Sequence, residues 1–234
     1  MAIQKVFKEV DGEKISISIF AIANQKPQVM VLHGAGDATQ KRCKGLCELF
    51  FQKGIGSISF DFSGYGESSA HYPNTINKRV KEASQLIDDF MGSNFSIAAF
   101  SMSGHVAIEL SAKYKRRVDG LMLLSPAIYS DECTTLAFGA DFSKCIRQPF
   151  NYLNSSMWQK IRDYHGVVVL VTPEHDYVIP QEVFFKLEEC RADLYRVNIK
   201  HATHSIGQWI NQNMEEAGQK LDGAISVLVE KNLK

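Results

Sequence analysis

The run Ala99-Phe100-Ser101-Met102-Ser103-Gly104-His105 sets a serine between small residues. It follows the apolar stretch 95–100, which reads as a short buried strand, and precedes the amphipathic-helix spacing of residues 106–114. A serine on so sharp a strand-to-helix turn is held out for attack on a carbonyl. The crowding there demands small residues two positions away on either side. Ala99 and Ser103 satisfy this for Ser101, whereas the rival Ser103 has His105 at its own second position. The plainer reading is a serine-rich turn capping a helix, because serine is a good N-cap. A serine hydroxyl is a weak nucleophile until a base takes its proton, and that base needs an acid to fix its tautomer. Further along the chain, Glu174 and Asp176 offer acids, and His201 and His204 offer bases.

The elements that must position these residues alternate along the chain. Residues 3–10 and 15–23 flank Asp11-Gly12 and alternate apolar with polar side chains, which predicts an opening β-hairpin. Strands are then expected at 29–32, 55–60, 95–100, 120–124, 167–171 and 194–199. Helices are expected at 40–52, 75–91, 106–114 and 181–190, with one more at the C-terminus. That order implies an α/β fold, a mostly parallel central sheet with helices on both faces, whose active site lies at the carboxyl ends of the strands. A chain of 234 residues that is 45% hydrophobic buries enough for one such domain. Residues 126–165 are too long for an ordinary loop and predict a small helical cap, leaving 1–125 and 166–234 as the core. Leu136, Phe138, Phe142, Phe150, Tyr152, Met157 and Trp158 are available to line an acyl pocket or, as the leading expectation, to pack the cap onto the core.

Lys+Arg and Asp+Glu both number 26, so no basic field attracts nucleic acid or an anionic membrane. The start lacks the apolar centre of a signal peptide and no apolar run is long enough to span a bilayer, so a cytoplasmic protein without stable membrane insertion is expected. Five cysteines, at 43, 47, 133, 145 and 190, read as free thiols in a reducing compartment. Cys43 and Cys47 share a helix face, where packing is the expected role because no histidine or cysteine cluster stands beside them to complete a metal site. The glycine-rich run Leu32-His33-Gly34-Ala35-Gly36 lacks the Gly-Lys-Ser/Thr of a phosphate loop. No cofactor or metal is expected.

In their order, these motifs resemble the α/β-hydrolase superfamily. The resemblance runs from His33 to His204 and makes the turn at Ser101 the family's nucleophile elbow. It implies an acid in the loop after the strand that follows the interruption, which falls on Asp176, although Pro173 stands where the family usually has glycine. Glu174, just beyond that strand, is expected to face solvent. The resemblance puts the base in the loop after the last strand, at His204, and leaves His201 to shape that loop. Its oxyanion donors are the backbone N–H groups of Met102, after the nucleophile, and of Ala35, after His-Gly. Phe60-Asp61-Phe62-Ser63-Gly64-Tyr65-Gly66-Glu67-Ser68 is similar to the loop after the family's fourth strand and is expected to be structural. His71, His105, His165 and His175 have no comparable partners. The reaction implied is hydrolysis of a small-molecule acyl ester through an acyl-enzyme, with thioesterase, aminopeptidase, acyltransferase and non-catalytic binding roles as alternatives. A nucleophilic serine sets the chain apart from dehalogenases and epoxide hydrolases of this fold, which use aspartate there.

Overall fold

The alternation around Asp11-Gly12 closes an antiparallel hairpin in the computed structural model, which describes residues 2–229. Its strands are β1 (Ala2–Val10) and β2 (Glu13–Ala21), and the turn holds Asp11 and Gly12 at φ of 50° and 75°. Positive φ at both positions matches the twist of a two-residue hairpin. Next come β3 (Val29–Leu32), a 3-10 turn at Gln40–Cys43, α1 (Lys44–Gln52) and β4 (Ser57–Phe60). These are followed by α2 (Ile76–Phe90), β5 (Phe95–Phe100), α3 (Ser103–Tyr114) and β6 (Val118–Leu124). Thr75 starts α2 as its N-cap, its hydroxyl accepting from the Lys78 N–H at 2.9 Å.

Between β6 and β7 (Val167–His175) lie two 3-10 turns, α4 (Ala140–Ile146) and α5 (Met157–Asp163). The chain finishes with α6 (Gln181–Cys190), β8 (Tyr195–Thr203), α7 (Ile206–Gln212) and α8 (Met214–Val229). The eight strands form one sheet in the order β1-β2-β4-β3-β5-β6-β7-β8. Only the β1–β2 and β2–β4 pairs are antiparallel. Apolar side chains fill both faces. On one, α2, α3, α6 and the insertion share a core with Leu32, Ile97 and Leu123. On the other, α1, α7 and α8 pack against Val31, Ala98 and Val171. Within the insertion, Phe142, Tyr152, Met157 and Trp158 are buried in the first of these cores, while Phe150 is 65% exposed.

Three expectations are corrected. Cys133 and Cys145 are not free thiols but a disulfide with a Cα–Cα distance of 5.9 Å, which ties the first 3-10 turn of the insertion to α4. A chain with a disulfide no longer argues for a reducing compartment. The cysteines at 43, 47 and 190 are free, and burial pushes the Cys47 thiol up to about 12, which suits packing rather than ligation. The single C-terminal helix is two helices. Asn213 leaves the helical region at φ −129°, its side chain donates to the Trp209 carbonyl at 2.9 Å, and its own carbonyl accepts from Ala217 to begin α8. Finally, β7 runs past Val171 through Pro173 to His175. Beyond Val171 it pairs with β8 alone, so a residue without an N–H is tolerated there. Among the described residues, no helix is long and apolar enough to cross a membrane.

Candidate active site

Ser101 opens the two-residue turn between β5 and α3 with φ of 50°, a left-handed conformation that costs a non-glycine residue energy. The turn is held from three sides. The Ser101 N–H donates to the Leu124 carbonyl at 2.9 Å, and its carbonyl accepts from Gly104 at 2.8 Å and Ala127 at 2.9 Å. Space is tightest at Gly104, where a Cβ would come within 2.5 Å of Pro126 Cβ, and at Gly34, where one would lie 3.2 Å from Ser101 Cβ. Small residues are therefore required three positions after the serine and across from it, beyond the Ala99 and Ser103 that the sequence pattern singles out. The Ser103 hydroxyl is buried and donates to the His33 carbonyl at 2.5 Å, which commits it to the scaffold.

Two further loops meet this turn. The Ser101 hydroxyl lies 2.9 Å from His204 Nε2, and His204 Nδ1 is 3.1 and 3.0 Å from the two oxygens of Asp176. The carboxylate is fully buried and the imidazole 22% exposed. Burial works against ionisation of Asp176, but the bond from His204 and the N–H groups of Ile179 and Val178 outweigh it and hold its pKa below the usual carboxylate value. A charged Asp176 only accepts, so Nδ1 carries the imidazole proton and Nε2 accepts from the serine hydroxyl.

A bulge brings His204 to this place. Pro173 pairs with Ile199 and His175 with Thr203, so β8 has extra residues between them, and His201 takes φ of 60°. The His201 N–H donates to the Glu174 carboxylate at 2.7 Å, and both side chains are exposed. Glu174 and His201 thus shape the loop, and the structure does not bring either to Ser101. Of the remaining histidines, His105 is buried and accepts from the Tyr129 N–H at 3.3 Å. Burial draws it down to about 4, so it is neutral. His175 stacks on Tyr177 at the surface.

The loop after β3 passes directly over the serine. His33 is buried, its Nε2 accepting from the Phe62 N–H at 3.2 Å and its Nδ1–H donating to the Gly34 carbonyl at 2.8 Å. Among the described residues, no hydrogen bond takes up the backbone N–H of Ala35 or of Met102. The loop after β4 is the expected tight turn. Gly64 and Gly66 have positive φ, and Asp61 accepts from the Gln40 N–H at 2.7 Å and the Glu67 N–H at 3.1 Å.

Volume does not mark this site. Cavities of about 580 and 750 Å³ lie at the amino ends of β5, β6 and β7, lined by residues such as Lys115, Arg116 and Gly166, or Gly92 and Asn94. Ser101, Asp176 and His204 stand at the carboxyl ends, as the doubly wound sheet demands. One residue of this region escaped the sequence reading. Arg79 lies on α2 in line with the apolar stripe of Ile76, Ala83, Leu86 and Ile87 and is fully buried beside the β3 loop. A cation within an apolar stripe was the available signal.

The family described as serine aminopeptidase, S33, matches residues 23–164, a span that holds Ala35, Ser101 and Met102. No curated protein sequence matches the chain. Among solved structures, one titled for carboxylesterases of the ammonia-oxidizing thaumarchaeon Nitrososphaera gargenis superposes with a TM-score of 0.75 at 11% identity, covering 97% of this chain and all of that one. The thioesterase domain from the curacin biosynthetic pathway gives 0.73 at 13%, covering 96% and 99%. Est1E from Butyrivibrio proteoclasticus gives 0.67 at 17%, covering 91% and 98%. At such identities the likeness speaks for the fold alone, and that fold is the α/β-hydrolase fold.

Proposed function

From the premise that this chain belongs to the serine aminopeptidase S33 family of α/β-hydrolases, and is thus a serine hydrolase, we propose that it is a carboxylesterase acting on a small or medium acyl ester. The observation that carries the reading is the continuous chain from the Ser101 hydroxyl through His204 to Asp176, each link within 3.1 Å. In this reading Ser101 Oγ attacks the ester carbonyl while His204 Nε2 takes its proton, and the buried Asp176 stabilises the imidazolium that forms. The N–H groups of Ala35 and Met102, without partners of their own among the described residues, donate to the oxyanion of the tetrahedral intermediate. His204 then protonates the departing alcohol, and later draws a proton from the water that releases the acid and regenerates Ser101. Segment 126–165 serves as the cap, with Phe138 and Phe142 in ring contact on its inner side.

The test is a fluorophosphonate probe followed by mass spectrometry of the labelled peptide, with Ser101→Ala and His204→Ala in parallel. Labelling confined to Ser101 and dependent on His204 supports the site. Absence of labelling, or labelling at Ser103, overturns it. A panel of p-nitrophenyl acyl esters, acyl thioesters and aminoacyl anilides, each with and without an acceptor alcohol, then separates esterase from thioesterase, aminopeptidase and acyltransferase.

A further inference from the structure

Arg79 is fully buried, yet it is placed to do more than pack. Its Nη1 donates to the Gly34 carbonyl at 3.0 Å, and the same carbonyl accepts from His33 Nδ1 at 2.8 Å, so both lone pairs of that oxygen are engaged. The guanidinium carbon lies 4.5 Å from the centre of the Phe62 ring and 4.6 Å from that of Tyr65, which fixes the plane from which it donates. Among the described residues, no side chain or carbonyl meets its Nε or Nη2 in full hydrogen-bond geometry, although Tyr65 stands close enough to favour the charged form. Glu82, the nearest acid on α2, instead accepts from the Ser63 N–H at 3.2 Å and lies 3.9 Å from Lys78. A guanidinium stays protonated even when buried. The result is a positive charge in a low-dielectric setting, eased by Tyr65 and Glu82, whose hydrogen bond to the backbone goes to the Gly34 carbonyl.

That carbonyl belongs to the peptide unit whose other end is the Ala35 N–H. Among the described residues there is no cis peptide bond, so the N–H points away from the C=O that Arg79 and His33 hold. On the side of the serine the loop is so close that a Cβ on Gly34 would lie 3.2 Å from Ser101 Cβ. We propose that Arg79 is a positioning residue of the oxyanion hole, gripping the Gly34 carbonyl so that the Ala35 N–H is fixed and polarised toward the oxygen that becomes negative at Ser101. The inference rests on the catalytic reading above and adds a residue from α2. Donors act on a transition state to the extent that they are oriented before the charge develops. Arg79 supplies that orientation from behind the peptide, without touching the substrate.

The experiment compares wild type, Arg79→Gln and Arg79→Lys in hydrolysis of p-nitrophenyl butyrate and in inhibition by an alkyl trifluoromethyl ketone, which binds as a tetrahedral oxyanion adduct. Circular dichroism melting accompanies each variant. For Arg79→Gln, kcat should fall by about 10- to 100-fold, the scale of a weakened oxyanion donor, with KM within about twofold. Inhibitor affinity should fall by the same factor as kcat, and Arg79→Lys should lie between the other two. A folded Arg79→Gln enzyme with unchanged kcat and inhibitor affinity overturns the proposal, as does a loss that follows the melting temperature alone. Should Arg79→Gln not fold, Arg79→Lys decides by the same paired fall in kcat and inhibitor affinity, or by its absence. Failure of the underlying reading shows separately, as wild-type protein that fluorophosphonate does not label at Ser101.

Discussion

Replacing Asp176 by asparagine exchanges one oxygen for an NH₂ and leaves the surrounding loop its anchor. The N–H groups of Val178 and Ile179 both donate to the same oxygen, Oδ1, each at 2.9 Å. In asparagine that place falls to the carbonyl oxygen, so the NH₂ takes the position of Oδ2, 3.0 Å from His204 Nδ1. The amide then donates to Nδ1, because the carbonyl oxygen in the Oδ1 place, though 3.1 Å from Nδ1, is already engaged by two loop N–H groups, and the imidazole proton moves to Nε2, which faces Ser101 Oγ at 2.9 Å. A histidine in that tautomer has no lone pair with which to take the serine proton. Turning the amide over restores the tautomer but sets an NH₂ against two loop donors. At about 1–2 kcal/mol for each bond lost, the productive orientation is disfavoured by about 2–4 kcal/mol, or roughly 30- to 1,000-fold. Loss of the carboxylate charge beside the imidazolium brings the total to about 10³–10⁴ in kcat. The assay is kcat and KM on p-nitrophenyl butyrate, with the fluorophosphonate labelling rate and the melting temperature. We expect kcat and labelling to fall together by that factor, KM to change little and Tm to move by less than about 3 °C, since the loop bonds survive. A fall in kcat of less than tenfold refutes the tautomer argument. So does a fall matched by unfolding. Asp176→Ala, which strands both loop donors, should by contrast lower Tm clearly.

Two further outcomes concern stability. Glu13 is buried and, although burial opposes its ionisation, bonds from the His71 and Tyr72 N–H groups, Lys78 and Ser69 hold its pKa at about 2 rather than 4.5. Its contribution is complete above pH 4.5 and disappears as the pH falls toward 2. The shift corresponds to about 3 kcal/mol, which screening through the partly exposed Lys78 reduces to about 1–2 kcal/mol. Glu13→Gln should therefore lower urea stability by that amount at pH 7 and flatten its decline below pH 4.5, and an unchanged acid limb would count against it. The Cys133–Cys145 bridge, with a sequence separation of 12, constrains the unfolded chain by up to about 3 kcal/mol. Cys133→Ala/Cys145→Ala should lower the urea midpoint of the oxidised protein, and reduction of the wild type should reproduce the loss. Equal midpoints for oxidised and reduced protein would show that the bridge carries no stability.

How much was legible before the fold was known follows from which residues carry periodic or positional signals. The hairpin at Asp11-Gly12 and the strand before Ser101 were readable because alternation and apolar runs report directly on which faces are buried. Asp176 and His204 were reached through chain order and loop position, and the structure brings both to Ser101. Geometry that arises from pairing was not readable. The bulge at His201 depends on the register of β7 against β8, and the Cys133–Cys145 bond joins short helical pieces whose spacing carries no period. The continuation of β7 through Pro173 was missed because proline ordinarily argues against a strand, and its tolerance depends on β6 having ended. Arg79 was visible as a charge in an apolar stripe, but its purpose resides in a carbonyl 45 residues away.

Ser101 rises from β5, flanked on both sides by other strands, whereas His204 follows β8, the outermost strand, which has a neighbour on one side only. Rim strands open at a lower free energy than interior ones. Ser101 and His204 therefore sit on two tiers of local stability, and gentle warming is expected to part them while the middle of the sheet still protects its amides from exchange. On the proposed reading, activity would then report on the rim rather than on the whole molecule. Its loss should precede melting and reverse on cooling, because only the margin has to re-dock.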